Sequence, residues 1–174
     1  MVELWRRVER LLETQIPESV AALAQGASDL SLARLAKVVG GPLPPDLVAS
    51  LTVHDGQKPP RESRPIFNAE SLLSCEAIST TWTMRGDILK HVESLPRIRQ
   101  DDAKWWSPSF LPVTESNGNG YCIHRLDSSV HYHTHDGDME GPLFPSWRAL
   151  LEDVATKLER GQFTIEYGSV WLKR

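Results

Sequence analysis

The spacing of apolar residues changes once along this chain, and that change limits the folds open to it. Before the charged stretch Pro96 to Lys104, apolar residues recur every three or four positions, the period of a helix. After it they mainly alternate, the period of a half-buried strand, until one late helical stripe returns. A chain built this way places its helices first and its sheet second. It is an α+β chain rather than one with alternating β and α units.

The helical half reads in detail. Leu4, Trp5, Val8, Leu11, Leu12 and Ile16 make one stripe, which Pro17 ends. A short second helix is predicted over Ser19 to Gln25. A third carries Leu32, Leu35, Ala36 and Val39, with Asp29 or Ser31 as its cap and Gly40 and Gly41 at its end. Pro45 opens a fourth whose Leu47 and Leu51 face inward. Ile66 and Phe67 read as a short strand. Ser71 or Ser74 then caps a helix bearing Ile78, Trp82, Leu89 and Val92, with a break expected near Gly86.

In the second half, "FLPVTES" and "YCIHRLD" read as strands joined through the turn Asn117 to Gly120. "SVHYHTH" pairs with the latter through Asp127-Ser128-Ser129. Asp136 to Pro145, rich in Gly and Pro, reads as a loop. Ser146 caps an amphipathic helix of Trp147, Leu150, Leu151, Val154 and Leu158 that ends at Gly161, and a terminal hairpin turns at Gly168. The whole, residues 1–174, is expected to be a single α+β domain: N-terminal helices plus a small, mainly antiparallel sheet with the late helix packed on it.

Charge and composition exclude some functions. The 174 residues carry a net charge of −4, which is the wrong sign for a nucleic-acid binder. No apolar run reaches the length of a membrane span, and the N-terminus lacks the apolar core of a signal peptide. Only two cysteines, Cys75 and Cys122, are present, without CxxC spacing. Buried thiols in a reducing compartment, the cytoplasm, are the expectation.

The stretch "VHYHTHDGD" is where enzyme chemistry would sit. On a strand, His131, His133 and His135 share one face, and two such histidines can hold a zinc ion. The plainer reading is a solvated face with Tyr132 turned inward. No HExxH helix, GxSxG elbow or cysteine-centred signature accompanies them. His54-Asp55-Gly56 reads as a helix-ending turn with Gly56 at positive φ, and "SNGNGY" reads as a hairpin turn. No catalytic residue, cofactor or metal is therefore assigned. Of the six tryptophans, Trp5, Trp82 and Trp147 lie on helical stripes and should be core. Of Trp105 and Trp106, one is expected to be buried and the other partly exposed, where it could anchor a partner.

These pieces, in this order, resemble the SUKH superfamily, which includes the Smi–Knr cell-wall regulators of fungi. The resemblance rests on an early Trp5, on the block Gly41, Leu43, Pro44, Asp46 and Leu47, and on the turn His54-Asp55-Gly56-Gln57. It continues through Trp106, the strand Phe110 to Val113, the turn Asn117 to Gly120 and the strand Tyr121 to Asp127. It closes with Ser146, Trp147, Leu150, Leu151 and Leu158. The chain departs from the pattern after Asp127, where many members carry a longer glycine-bearing segment and this one runs directly into the histidine strand.

The resemblance implies binding rather than catalysis. Bacterial members are mostly immunity proteins that neutralise polymorphic or contact-dependent toxins, many of them nucleases. The signature residues Trp5, Leu43, Pro44, Leu47, Asp55, Gly56, Gln57, Trp106, Asp127 and Trp147 would then build the scaffold. The expected partner is a cognate toxin whose active site or substrate path is occluded. Contact candidates, chosen as acidic or aromatic groups near the sheet and its loops, are Asp101, Asp102, Trp105, Asp136, Asp138 and Glu140. The alternative is a non-catalytic interaction scaffold like the fungal regulators, which tend to carry long disordered extensions.

Overall fold

The computed structural model describes residues 1–58, 65–94 and 105–173. Helix α1 (Val2–Glu13) buries Leu4, Trp5, Val8 and Leu12, the stripe read from the sequence. Pro17 does more than end it. It opens α2 (Pro17–Ala21) from the first turn, where its missing N–H costs nothing, so this helix starts earlier and is shorter than predicted. Helix α3 (Asp29–Val38) is capped by Ser28, not by Asp29 or Ser31. Ser28 is extended and accepts from Ser31 N, while Asp29 enters the first turn, where a carboxylate suits the helix dipole. Helix α4 (Pro45–Leu51) buries Leu47 and Leu51 as expected.

Ile66 and Phe67 form no strand among the described residues. Asn68 and Ala69 both take positive φ, which folds the chain back so that Glu70 N donates to Phe67 O. A two-residue strand β1 (Ser71–Leu72) follows. Ser74 then caps α5 (Cys75–Glu93) by accepting from Ala77 N. The helix runs through Gly86 unbroken. A glycine inside a helix costs about 1 kcal/mol against alanine, which one residue in a long helix can bear.

Strands β2 (Phe110–Pro112), β4 (Gly120–His124), β5 (Val130–His133) and β6 (Met139–Phe144) make an antiparallel sheet in the order β2-β4-β5-β6. Strand β3 (Thr114–Glu115) pairs with β1 in a second small sheet. The stretch Asp136 to Pro145 is thus not wholly loop, since its centre is a strand. Gly141 and Pro142 disguise it in the sequence, and both fall where the register of β5 against β6 shifts, an irregularity that tolerates them. Helix α6 (Trp147–Glu159), capped by Ser146, and the hairpin β7 (Phe163–Glu166) and β8 (Ser169–Leu172) complete the fold.

The α+β architecture is as read from the sequence. One hydrophobic cluster joins α1, α3, α4, the sheet and α6. At its centre the Phe67 ring lies 6.5 Å from Trp5 and 5.6 Å from Trp147. Helix α1 packs on α6, and Arg7 pairs with Glu159 across them. No described helix is long and apolar enough to cross a membrane.

Candidate functional site

Alternation along β4 and β5 sorts the sheet into two faces. Tyr121, Ile123, Val130 and Tyr132 belong to the face turned towards the core. Cys122, His124, His131 and His133 belong to the other, with His131 opposite Cys122 and His133 opposite Gly120.

The histidine face is not a solvated strand. His133 is only 1% exposed, beneath Trp105 and Trp106, whose rings lie 5.9 and 5.5 Å from its own. Its Nδ1 faces Gly118 O at 3.1 Å and its Nε2 faces Trp105 O at 2.9 Å. A neutral ring donates to only one of these. Burial first, and Arg85 beside it second, hold its pKa below the ordinary histidine value, while the two carbonyls pull the other way. Arg85 is itself buried, stacks over Trp106 at 4.7 Å and donates to the same Gly118 O.

His131 and His124 are committed elsewhere. Asp127 Oδ1 accepts from Ser129 N, from Ser129 Oγ and from His124 Nδ1. Those bonds, led by Ser129, hold the Asp127 carboxyl well below the usual carboxylate range. Ser129 Oγ, having given its proton to Asp127, accepts from His131 Nε2 at 3.0 Å. Burial, then His124, lowers the His131 pKa. His135 is exposed, 3.1 Å from Asp136. Among the described residues no three His, Cys, Asp or Glu side chains are placed to hold an ion. Cys75 and Cys122 are both free and buried, and burial pushes each thiol up to about 12.

The signature residues make their contacts within the chain. Gly56 sits at φ +82°, and a Cβ there would lie 2.5 Å from Ser74 N. On one side of this turn Asp55 N donates to Gln25 O and Ala24 N to Gly56 O. On the other, Asp55 Oδ1 accepts from Cys75 N and Gln57 Oε1 from Leu72 N. The turn therefore stitches α5 and β1 to the strand-like segment after α2. His54 adds α1 to it, with Nε2 2.6 Å from Glu9 and Nδ1 3.0 Å from Ala24 O. Trp5 and Trp147 are core, as expected. Leu43 packs against that core, and Pro44 is buried at the start of α4.

The contact candidates divide between two places. The turn after β5 closes with Gly137 N donating to Thr134 O, and Gly137 packs on Trp105. Asp136 and Asp138 flank that glycine and are exposed, so Trp105, Asp136 and Asp138 lie together. Trp105 is half-buried and Trp106 is buried, the division read from the sequence. Glu140 opposes Tyr132, so it belongs to the other face. Asp101 and Asp102 lie outside the described residues.

On that other face Glu140 joins a groove of about 660 Å³. Its floor is Tyr121 and Tyr132, edge to face at 5.2 Å. Helix α6 gives one wall with Asp153 and Lys157, β6 gives Leu143 and Phe144, and β8 gives Trp171. Behind the floor is Glu70, 1% exposed, accepting from Tyr132 Oη at 2.6 Å and Thr114 Oγ1 at 2.5 Å. Burial drives its carboxyl up to about 7 against those hydrogen bonds. Sequence reasoning missed this groove because no local period joins its walls. The one sign available was a surplus of apolar residues, Leu143, Ile165 and Trp171, on short strands that leave them exposed. A second, more open groove of about 790 Å³ lies between α3 and α5, lined by Val38, Met84 and Ile88 among others.

The family model described as SMI1 / KNR4 family (SUKH-1) matches residues 26–153. The match takes in every signature residue named above except Trp5. It leaves out α1, α2, the end of α6 with Leu158, and the C-terminal hairpin. No curated protein matches the chain.

Proposed function

The chain belongs to the SMI1 / KNR4 (SUKH-1) family, and from that premise we propose that it is an immunity protein. It binds one cognate bacterial toxin, one to one, and occludes the toxin's active site or substrate path. It performs no chemistry of its own and works in the cytoplasm. The observation that carries this reading is the use of the polar signature groups. Asp55, Gln57 and Asp127 all end on hydrogen bonds within the chain, and so do the indoles of Trp5 and Trp147. Groups spent in this way hold a scaffold together, and the exposed surface is left for recognition.

That surface has the composition of a binding patch. Exposed aromatic and aliphatic side chains stand beside acids, the mixture from which interface hot spots are drawn. Leu143, Ile165, Tyr167 and Trp171 lie on β6 and the terminal hairpin, and Asp136 and Asp138 beside Trp105.

The test is a tagged pull-down from the native host with mass spectrometry, followed by expression of any stoichiometric partner alone and together with this chain. A partner whose C-terminal domain kills cells only when this chain is absent establishes immunity. A spread of wall-synthesis and signalling proteins would instead mark an interaction scaffold and refute the toxin reading.

A further inference from the structure

The groove between the sheet, α6 and the C-terminal hairpin has a chemistry that selects its occupant. Four aromatic rings line it: Tyr121, Tyr132, Phe144 and Trp171. Three ionised or ionisable side chains face it: Glu140, Asp153 and Lys157. Asp153 and Lys157 satisfy each other, 2.9 Å apart on successive turns of α6. Glu140 has no cationic partner among the described residues, and it stands directly across from Tyr132 on the neighbouring strand. The carboxyl of Glu70 lies one side chain deeper, bonded to the Tyr132 hydroxyl. Strand β8 adds Trp171, which is 40% exposed although it is the largest of the side chains.

Aromatic faces carry negative charge density, and an unpaired carboxylate at their edge adds to it. The group complementary to both is a planar cation. A guanidinium stacks on an indole or phenol ring and still presents two parallel N–H groups to a carboxylate, which an ammonium does not.

We infer that this groove is the seat for an arginine side chain of the partner protein, stacked against Trp171 and the tyrosine floor and paired with Glu140. The inference deepens the binding role proposed above and rests on it for the partner being a protein. It also places one determinant of recognition on the terminal hairpin, outside the family match.

The full chain, isotopically labelled, allows a test without the partner. The probe is the blocked tripeptide Gly-Arg-Gly, with its citrulline counterpart as the uncharged isostere. A single anchoring side chain should bind in the millimolar range, about 1–10 mM. The arginine peptide should shift the Trp171 indole resonance and the backbone resonances of Tyr132 and Glu140. Citrulline, Glu140→Gln and Trp171→Ala should each weaken that response by about tenfold or more. Both substitutions are at exposed positions, and the same spectra report whether the variants fold.

Equal shifts with citrulline, no shifts at all, or shifts confined to the groove between α3 and α5 would each overturn the assignment. The two readings separate cleanly. A toxin that binds unchanged when Glu140 and Trp171 are replaced refutes the arginine seat and leaves immunity standing. Arginine binding without any toxin partner does the reverse.

Discussion

Trp5 and Trp147, one in the first helix and one in the last, donate their indole N–H groups to the same acceptor, Ser50 Oγ, at 2.9 and 3.0 Å. All three side chains are buried, so a single hydroxyl on α4 ties both ends of the chain to its middle.

Ser50→Ala should accordingly cost far more than the loss of one exposed serine. It orphans two buried donors, and at about 1–3 kcal/mol each the expected loss is about 2–6 kcal/mol. Urea unfolding measures it. In the Ser50→Ala background Trp147→Phe should cost less than it does in the wild type, because one orphan is removed. Additive costs would show that the shared acceptor contributes little.

Gly56→Ala should also destabilise strongly. The residue is held at φ +82°, and the new methyl would lie within 3 Å of Ser74 N, Ser74 Cα and Leu73 C, all backbone atoms that cannot step aside cheaply. Strain of this kind costs about 1–3 kcal/mol before the clash is counted. Thermal unfolding followed by circular dichroism tests it, with Gly86→Ala as the control. Gly86 lies inside α5 with open space around its Cβ position, and that change should be neutral or slightly stabilising.

Glu70 should make the fold less stable as the pH rises. Its carboxyl keeps its proton to about pH 7 when folded but only to its ordinary value of 4.5 when unfolded. Between those values the folded state holds the extra proton, so this contribution is full in acid and is lost as the pH climbs through the window. The change is on the order of 3 kcal/mol for a group this buried. Glu70→Gln should flatten the slope of unfolding free energy between pH 5 and 7, measured in urea. A slope that survives the substitution would assign it to other groups.

Zinc should find no stoichiometric site on the histidine strand. Both nitrogens of His133 face backbone carbonyls, and His131 Nε2 is bound to Ser129. Calorimetric titration of metal-free protein should give no one-to-one binding. A one-to-one site lost in His131→Ala and His133→Ala would show instead that the strand holds a metal ion.

The helices were legible because their apolar stripes are local. Residues three or four apart, such as Trp5, Val8 and Leu12 on α1 or Leu150 and Val154 on α6, declare a buried face without reference to the rest of the chain. The β4–β5 hairpin was legible from its alternation and its turn residues. Strand β6 was not, since Gly141 and Pro142 are turn residues everywhere except at the edge of a sheet. The face shared by His131 and His133 was correctly placed by strand geometry. What covers that face was invisible, because Arg85, Trp105 and Trp106 arrive from distant parts of the sequence. The same holds for the groove, whose walls come from Asn68, Tyr121, Glu140, Asp153 and Trp171. Long-range packing, with no period of its own, decided each of these.

The edge position of β6 bears on how such a protein diversifies. Pro142 has no N–H and Gly141 beside it no side chain, where the register of β5 against β6 shifts, so a foreign strand finds an irregular template there. A partner must then be read through projecting side chains rather than through main-chain pairing. Those side chains belong to exposed positions such as Glu140 and Leu143, which can be exchanged without moving a ladder hydrogen bond. New specificities are therefore open to this chain by point substitution on a frame that stays the same.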